Sequence, residues 1–130
     1  MTAQIEFTRH PIAVLPPVLP SREIGASLDF QGIVREMEND APLQGLHYEA
    51  HEPMARKLLE RHVAALAELH PVSGVHFIHR LGWVPVGEAS LFIRVLSVHR
   101  GEGLEFLAAL VNRLKQDVPI WKMTAAPSEN

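Results

Sequence analysis

Along this chain of 130 residues the hydrophobic pattern changes from period two to period 3.6 and back, twice. That order restricts the possible folds more than any other feature. Residues 24–36, IGASLDFQGIVRE, alternate: Ile24, Ala26, Leu28, Phe30 and Val34 share one face, and Ser27, Asp29, Gln31 and Arg35 the other. This is the signature of a half-buried strand that delivers Arg35 at its end. ENDAPLQG carries turn chemistry, and LQGLHYEA is the expected antiparallel partner.

From Glu52 the period lengthens. Pro53 suits the first helical position, Met54, Leu58, Leu59, Leu66 and Leu69 form the expected apolar stripe, Arg56, Lys57, Glu60 and Arg61 the wet side, and His70-Pro71 ends the helix. VSGVHFIHRLGW and EASLFIRVLSV, joined through VPVG, predict a hairpin. A second helix is predicted over about Glu102 to Gln116, with Leu104, Leu107, Leu110, Val111 and Leu114 on one side, and Pro119 stops it before a short extended PIWK. Strands, helix, strands, helix and a last short strand amount to an α+β domain, helices packed on mostly antiparallel sheet. The segment Pro11 to Ser21, with Pro11, Pro16, Pro17 and Pro20, is expected to be an irregular connector over the surface. Residues 125–130 are expected to form a flexible tail, and the whole chain one domain, since a 47% hydrophobic composition suffices for one core.

Function classes narrow in the same way. A net charge of -3 provides no general basic field for nucleic acid, so any anion site is local. There is no cysteine, which excludes a disulfide framework, a thiolate metal site and sulfur relay through a thiol of the chain itself. No leader-like segment and no run of ~18 apolar residues is present, so no membrane association is expected and the cytoplasm is the expected compartment. The phosphate-loop, dinucleotide and nucleophile-elbow motifs are missing. Of the eight histidines, His76 and His79 point to opposite faces of a strand, His47 and His51 flank a strand end without an obvious carboxylate partner, and His62 falls in a helical stripe as a hydrogen-bonded core residue. Neither a metal nor a cofactor is expected. Arg94, amid LFIRVLSV, is expected to face a carboxylate or a subunit interface.

The charges around the second helix are unusual. His99 and Arg100 stand at its start, where the helix dipole disfavours cations unless an anion joins the free N–H groups; an ion pair with Glu102 or Glu105 is the alternative. Lys115 falls within about 40° of Leu104, Ala108 and Val111, on the margin of the stripe, where it is a snorkelling lysine or a functional one. Arg100 and Lys115 are separated by roughly 20 Å of helix, so a small ligand touches both only across a dimer. Lys122, seven positions after Lys115 and beyond Pro119, can converge with it. Two ammonium groups meeting in a partly dry pocket would form an amine active near neutral pH.

With these residues placed, FQGIVRE, LHYEAHEPMA, VHFIHRLGWVPVGEAS, SVHRGEGLEF and LKQDVPIWK together resemble the catalytic subunits of molybdopterin synthase, the MoaE family, from Ile24 to Lys122. The resemblance implies an α/β hammerhead fold with an additional antiparallel β subdomain. It implies a sulfurtransferase acting on cyclic pyranopterin monophosphate, with sulfur arriving as the thiocarboxylate on the C-terminal Gly-Gly tail of a small ubiquitin-like MoaD-type subunit. It further implies a homodimer within a heterotetramer. Carried over by position, Arg35 would hold anionic groups, His99 and Arg100 would bind the pterin phosphate from across the dimer, Lys115 would be the central catalytic lysine and Lys122 its assistant. Sulfur would attack the pterin side chain and the acyl adduct would be hydrolysed, twice per product. EMENDAP, after Arg35, is more acidic than is usual in the family and would alter tail docking. A homologue that binds a ubiquitin-like partner without turnover is the alternative.

Overall fold

A computed structural model describes residues 1–38 and 40–124. The expected tail, 125–130, lies outside the described residues.

The alternating segment forms β2 (Ala26–Ile33), and its side chains alternate between half-buried and exposed along the whole strand. Its partner is β8 (Ala89–Ser97), antiparallel, which also pairs antiparallel with β6 (Gly74–Arg80). The fourth strand, β1 (Thr2–Thr8), lies parallel to β6 and completes a sheet of order β1-β6-β8-β2. The sequence reading did not include β1. Its signal is a short alternation in which Ile5 is buried, and without a long-range partner so short a segment does not stand out.

Two helices cover one face of this sheet: α1 (Glu52–Leu69) and α2 (Arg100–Asp117). Pro53 opens α1 as expected, and the His70 N–H closes it on the Leu66 carbonyl. The buried faces overlap the predicted stripes, with Leu59, Leu66, Leu110 and Leu114 buried and Leu58, Leu107 and Val111 packed against the core, but they are rotated at the margins. In α1 they are Ala55, Leu59, Val63 and Leu66, while Met54 and Leu69 are exposed; in α2 they are Gly103, Phe106, Leu110 and Leu114, while Leu104 is exposed. Small residues such as Ala55 and Gly103 are what let the helices approach the sheet. A Cβ at Gly103 would stand 2.5 Å from Leu28 Cδ1 and 2.6 Å from Ser97 Oγ. Leu59, Phe77, Ile93, Phe106 and Leu110 form the centre of the resulting core.

The opposite face carries polar pairs. Arg94, nearly buried, donates to both carboxylate oxygens of Asp29 at 2.7 and 2.8 Å, the carboxylate partner expected for it. His76 bonds Glu6 at 3.0 Å. The connector has no helix or strand and carries Leu15, Pro16 and Val18 past Gln4, His76 and Arg94 across a cleft.

The antiparallel subdomain is assembled differently from the prediction. LQGLHYEA does form a strand, β5 (Gly45–Ala50), but it pairs with β7 (Gly82–Pro85) and β9 (Ile120–Met123), not with β2. A register shift at Gly32/Ile33 ends β2, and beyond it β3 (Met37–Glu38) pairs antiparallel with β4 (Ala41–Pro42). Leu46 then buries against Val34 and Val84 in a second, smaller core. The predicted hairpin exists as β6 and β8. Its first strand breaks at Leu81, because Gly82, at φ +84, redirects the chain and gives β7 to the second sheet.

Candidate functional site

The two sheets meet at a cleft of about 610 Å³, within the size range of small-molecule sites. A row of residues crosses the end of the large sheet: Gly32 is registered with Leu91, and Leu91 with His79. Gly32 contributes no side chain, so this row leaves a floor rather than a filled layer; a Cβ there would touch Leu91 Cβ at 3.4 Å. The end of α2 brings Val111, Leu114 and Lys115 to one wall, β9 brings Ile120, Trp121 and Lys122 to another, and Tyr48 of β5 stands between them. Arg35, just past the irregular end of β2, lies on the rim.

Of the five residues picked out from sequence, three therefore share one cleft: Arg35, Lys115 and Lys122. All three are exposed cations. Lys115 follows buried Leu114, so its stem leaves the core edge while its ammonium reaches solvent, as its place on the stripe margin predicted. Lys122 donates to both carboxylate oxygens of Glu38, at 3.3 and 3.2 Å. The acidic loop flagged in the sequence thus places one carboxylate against this lysine.

His99 and Arg100 lie elsewhere in the subunit. They line a separate cleft with Gly25, Val98, Gly101 and Leu104 at the start of α2. His99 takes the N-cap position without a side-chain cap bond, and Ser97 Oγ donates to its carbonyl at 2.7 Å. Among the described residues neither Glu102 nor Glu105 pairs with them; Glu105 instead meets His70 Nδ1 at 3.1 Å. One subunit does not bring the two cationic groups together, as the helix length required.

Two residues of the site went unrecognised in the sequence. Sequence marks Glu38 only as part of an acidic loop. His79 stands out in the sequence only as a possible metal ligand, although strand alternation places it on the face of Val75 and Phe77. His79 is only 4% exposed, and its Nδ1 donates to the Arg80 carbonyl at 2.9 Å. Burial pushes its pKa below the usual histidine range, against the smaller opposing effect of that hydrogen bond.

His62, His47, His70 and His76 each pair with a side chain of the fold. His62 is not in the core: it bridges the helices at their margin, Nε2 donating to Asp117 at 2.6 Å and Nδ1 accepting from Arg113 at 3.3 Å. His47 does have a carboxylate partner, Glu49 at 2.6 Å. Among the described residues, no group of three or more histidine, aspartate or glutamate side chains could hold a metal ion. Among the described residues no helix is long and apolar enough to cross a membrane.

Comparison with known proteins completes the description. Residues 5–117 match the family model described as MoaE protein. The chain is 40% identical over 100 residues to the molybdopterin synthase catalytic subunit of Arabidopsis thaliana, an alignment covering 77% of this chain and 50% of that one. It is 37% identical over 121 residues to the subunit of the same name from Bacillus subtilis, covering 92% and 77%. The chain thus spans only half the length of the plant relative. Among solved structures, molybdopterin synthase from Staphylococcus aureus superimposes with a TM-score of 0.84 at 28% identity, covering 98% of this chain and 93% of that one. A complex of subunits 1 and 2 of the molybdopterin-converting factor from Helicobacter pylori matches with a TM-score of 0.67 at 26% identity, covering 84% and 75%.

Proposed function

Because this chain belongs to the MoaE family, with the family model matched from residue 5 to residue 117, we infer that it is the catalytic subunit of a molybdopterin synthase. Its reaction is sulfur transfer from the thiocarboxylate tail of a small ubiquitin-like subunit to cyclic pyranopterin monophosphate, forming the dithiolene of molybdopterin. The observation that carries this reading beyond the family likeness is the convergence of Arg35, Lys115 and Lys122, from β2's end, α2 and β9, on one cleft.

The chemistry suits such a cleft. Substrate phosphate and thiocarboxylate are both anions, and bringing them together in water is opposed by their repulsion. Cations on two walls and the rim offset that repulsion and hold sulfur and pterin carbon within reach. Lys115 and Lys122 stand where charge develops as sulfur leaves the acyl carbon, and can give or take the protons that transfer requires. The chain has no cysteine, so sulfur passes from partner to substrate without residing here.

Two copies complete the site. His99 and Arg100 are too far from Lys115 within a subunit, roughly 20 Å along α2, and act on the phosphate in the neighbouring subunit's cleft. The assembly is a homodimer with one small subunit at each cleft.

The test is direct. The purified chain is incubated with a thiocarboxylated MoaD-type subunit and the cyclic precursor, and dithiolene product is measured. Product formation is expected. A stable complex without product would instead make the chain a binding partner that no longer turns over.

A further inference from the structure

The three cations of the cleft can only donate hydrogen bonds. A heterocycle of the pterin class, however, carries N–H donors on its ring and amine, and these need acceptors when they leave water. The cleft floor offers one of an unusual kind. His79 Nδ1 faces a carbonyl, which can only accept, so Nδ1 holds the proton and Nε2 of the neutral ring is left with a lone pair.

That nitrogen is available. The buried side-chain polar atoms lacking a partner among the described residues are His47 Nδ1 and Arg80 Nε. The hydrogen bond found for the His79 ring among the described residues is the one through Nδ1, and the residue lines the cleft. Its direction is constrained as well, since Tyr48 packs against the ring at 5.2 Å between centroids and 60°, and Phe77 at 6.3 Å and 40°. Burial favours the uncharged ring. Gly32, two strands away in the same row, leaves room above the floor for a flat group.

We propose that His79 is the substrate-orienting acceptor of the cleft, receiving an N–H donor of the pterin ring at Nε2 and so setting how the heterocycle lies among Arg35, Lys115 and Lys122. The inference rests on the sulfurtransferase reading and specifies how its substrate is recognised. A ring lacking that donor would leave Nε2 desolvated and unpaired, so the residue also discriminates between substrates.

The experiment has two arms. In the first, His79→Phe raises KM for the cyclic pterin about tenfold with a smaller change in kcat, and His79→Gln, which keeps an acceptor, recovers most of the loss. Complex formation with the small subunit is unchanged in both. The second arm needs no variant: binding of pterin to the wild-type chain is compared with its ring-N-methylated and amine-methylated forms. At least one methylation weakens binding about tenfold. An unchanged KM in folded His79→Phe, or equal binding of pterin and every methylated form, overturns the proposal. Failure of the broader reading looks different, since the wild-type chain would then make no dithiolene product at all.

Discussion

Lys122 Nζ stands 3.3 and 3.2 Å from the two carboxylate oxygens of Glu38, so one cation of the cleft is already paired with an anion of the chain itself. Lys122 is half exposed, its side chain at 50%, and Glu38 much less so at 18%. A pair of this kind contributes about 0–1 kcal/mol to stability. Its larger effect is on binding, because a carboxylate or phosphate entering the cleft competes with Glu38 for the same ammonium.

Glu38→Gln therefore leaves the unfolding midpoint almost unchanged and tightens binding of a carboxylate-terminated small subunit about three- to tenfold. Titration of labelled small subunit at two salt concentrations checks this. An unchanged affinity would mean that the incoming tail does not meet Lys122.

Lys115→Ala separates chemistry from assembly. The side chain is exposed at the edge of α2, so stability changes by about 0.5 kcal/mol or less. Turnover is expected to fall about 100-fold or more, with the small-subunit complex intact. Single-turnover product formation, run beside gel filtration of the complex, gives the answer, and full activity would remove Lys115 from the mechanism.

Mixing inactive subunits tests the dimeric site. In a dimer of one Lys115→Ala and one Arg100→Ala subunit, both changes fall in the same cleft if Arg100 acts across the interface, and the other cleft stays intact. Random mixing then leaves half the dimers mixed, each with one intact site, and restores roughly a quarter of wild-type activity. If both residues served the same subunit's cleft, the mixed dimers would recover nothing.

Acid weakens the fold in two windows. Burial lowers the pKa of His79, so the folded state resists a proton that the unfolded chain accepts below about 6.5; stability declines from there until the pH passes the depressed value. Asp29 is held below its ordinary 3.8, first by its hydrogen bond from Arg94, so its contribution is complete above about pH 4 and is lost as the pH falls through the folded value. Urea midpoints measured from pH 7.5 to 3 are expected to show both declines. His79→Gln flattens the upper one and Asp29→Asn the lower. At pH 7, Asp29→Ala costs roughly 1–3 kcal/mol, the lower part of that range reflecting the partial exposure of the carboxylate and the rest the near-burial of Arg94. A midpoint that does not move between pH 7.5 and 5 would show that His79 titrates alike in both states.

Local order was legible before any coordinates. Ile24 to Arg35 alternates because a strand puts successive side chains on opposite faces, and Pro53, His70-Pro71 and Pro119 mark helix limits because proline removes a donor and restricts its neighbour. Arg94's need for a carboxylate or a subunit interface followed from the cost of burying a lone charge, and the distance from Arg100 to Lys115 from helical rise alone. These depend on interactions within a few residues. Partner choice does not. Alternation makes β5 a strand equally well beside β2 or between β7 and β9, and only the shared burial of Leu46, Val34 and Val84 selects the second. The helix stripes hold at Leu59, Leu66, Leu110 and Leu114 but miss by one position at the first turn for the same reason, since Ala55 and Gly103 turn inward where the sheet demands closeness rather than bulk. The pairing of Lys122 with Glu38, 84 residues apart, and the Gly32, Leu91, His79 row arise only after three strands have chosen their neighbours. The sequence determined the elements and their charges; tertiary packing decided which faces meet, because burial is shared between distant segments and no local spacing encodes it.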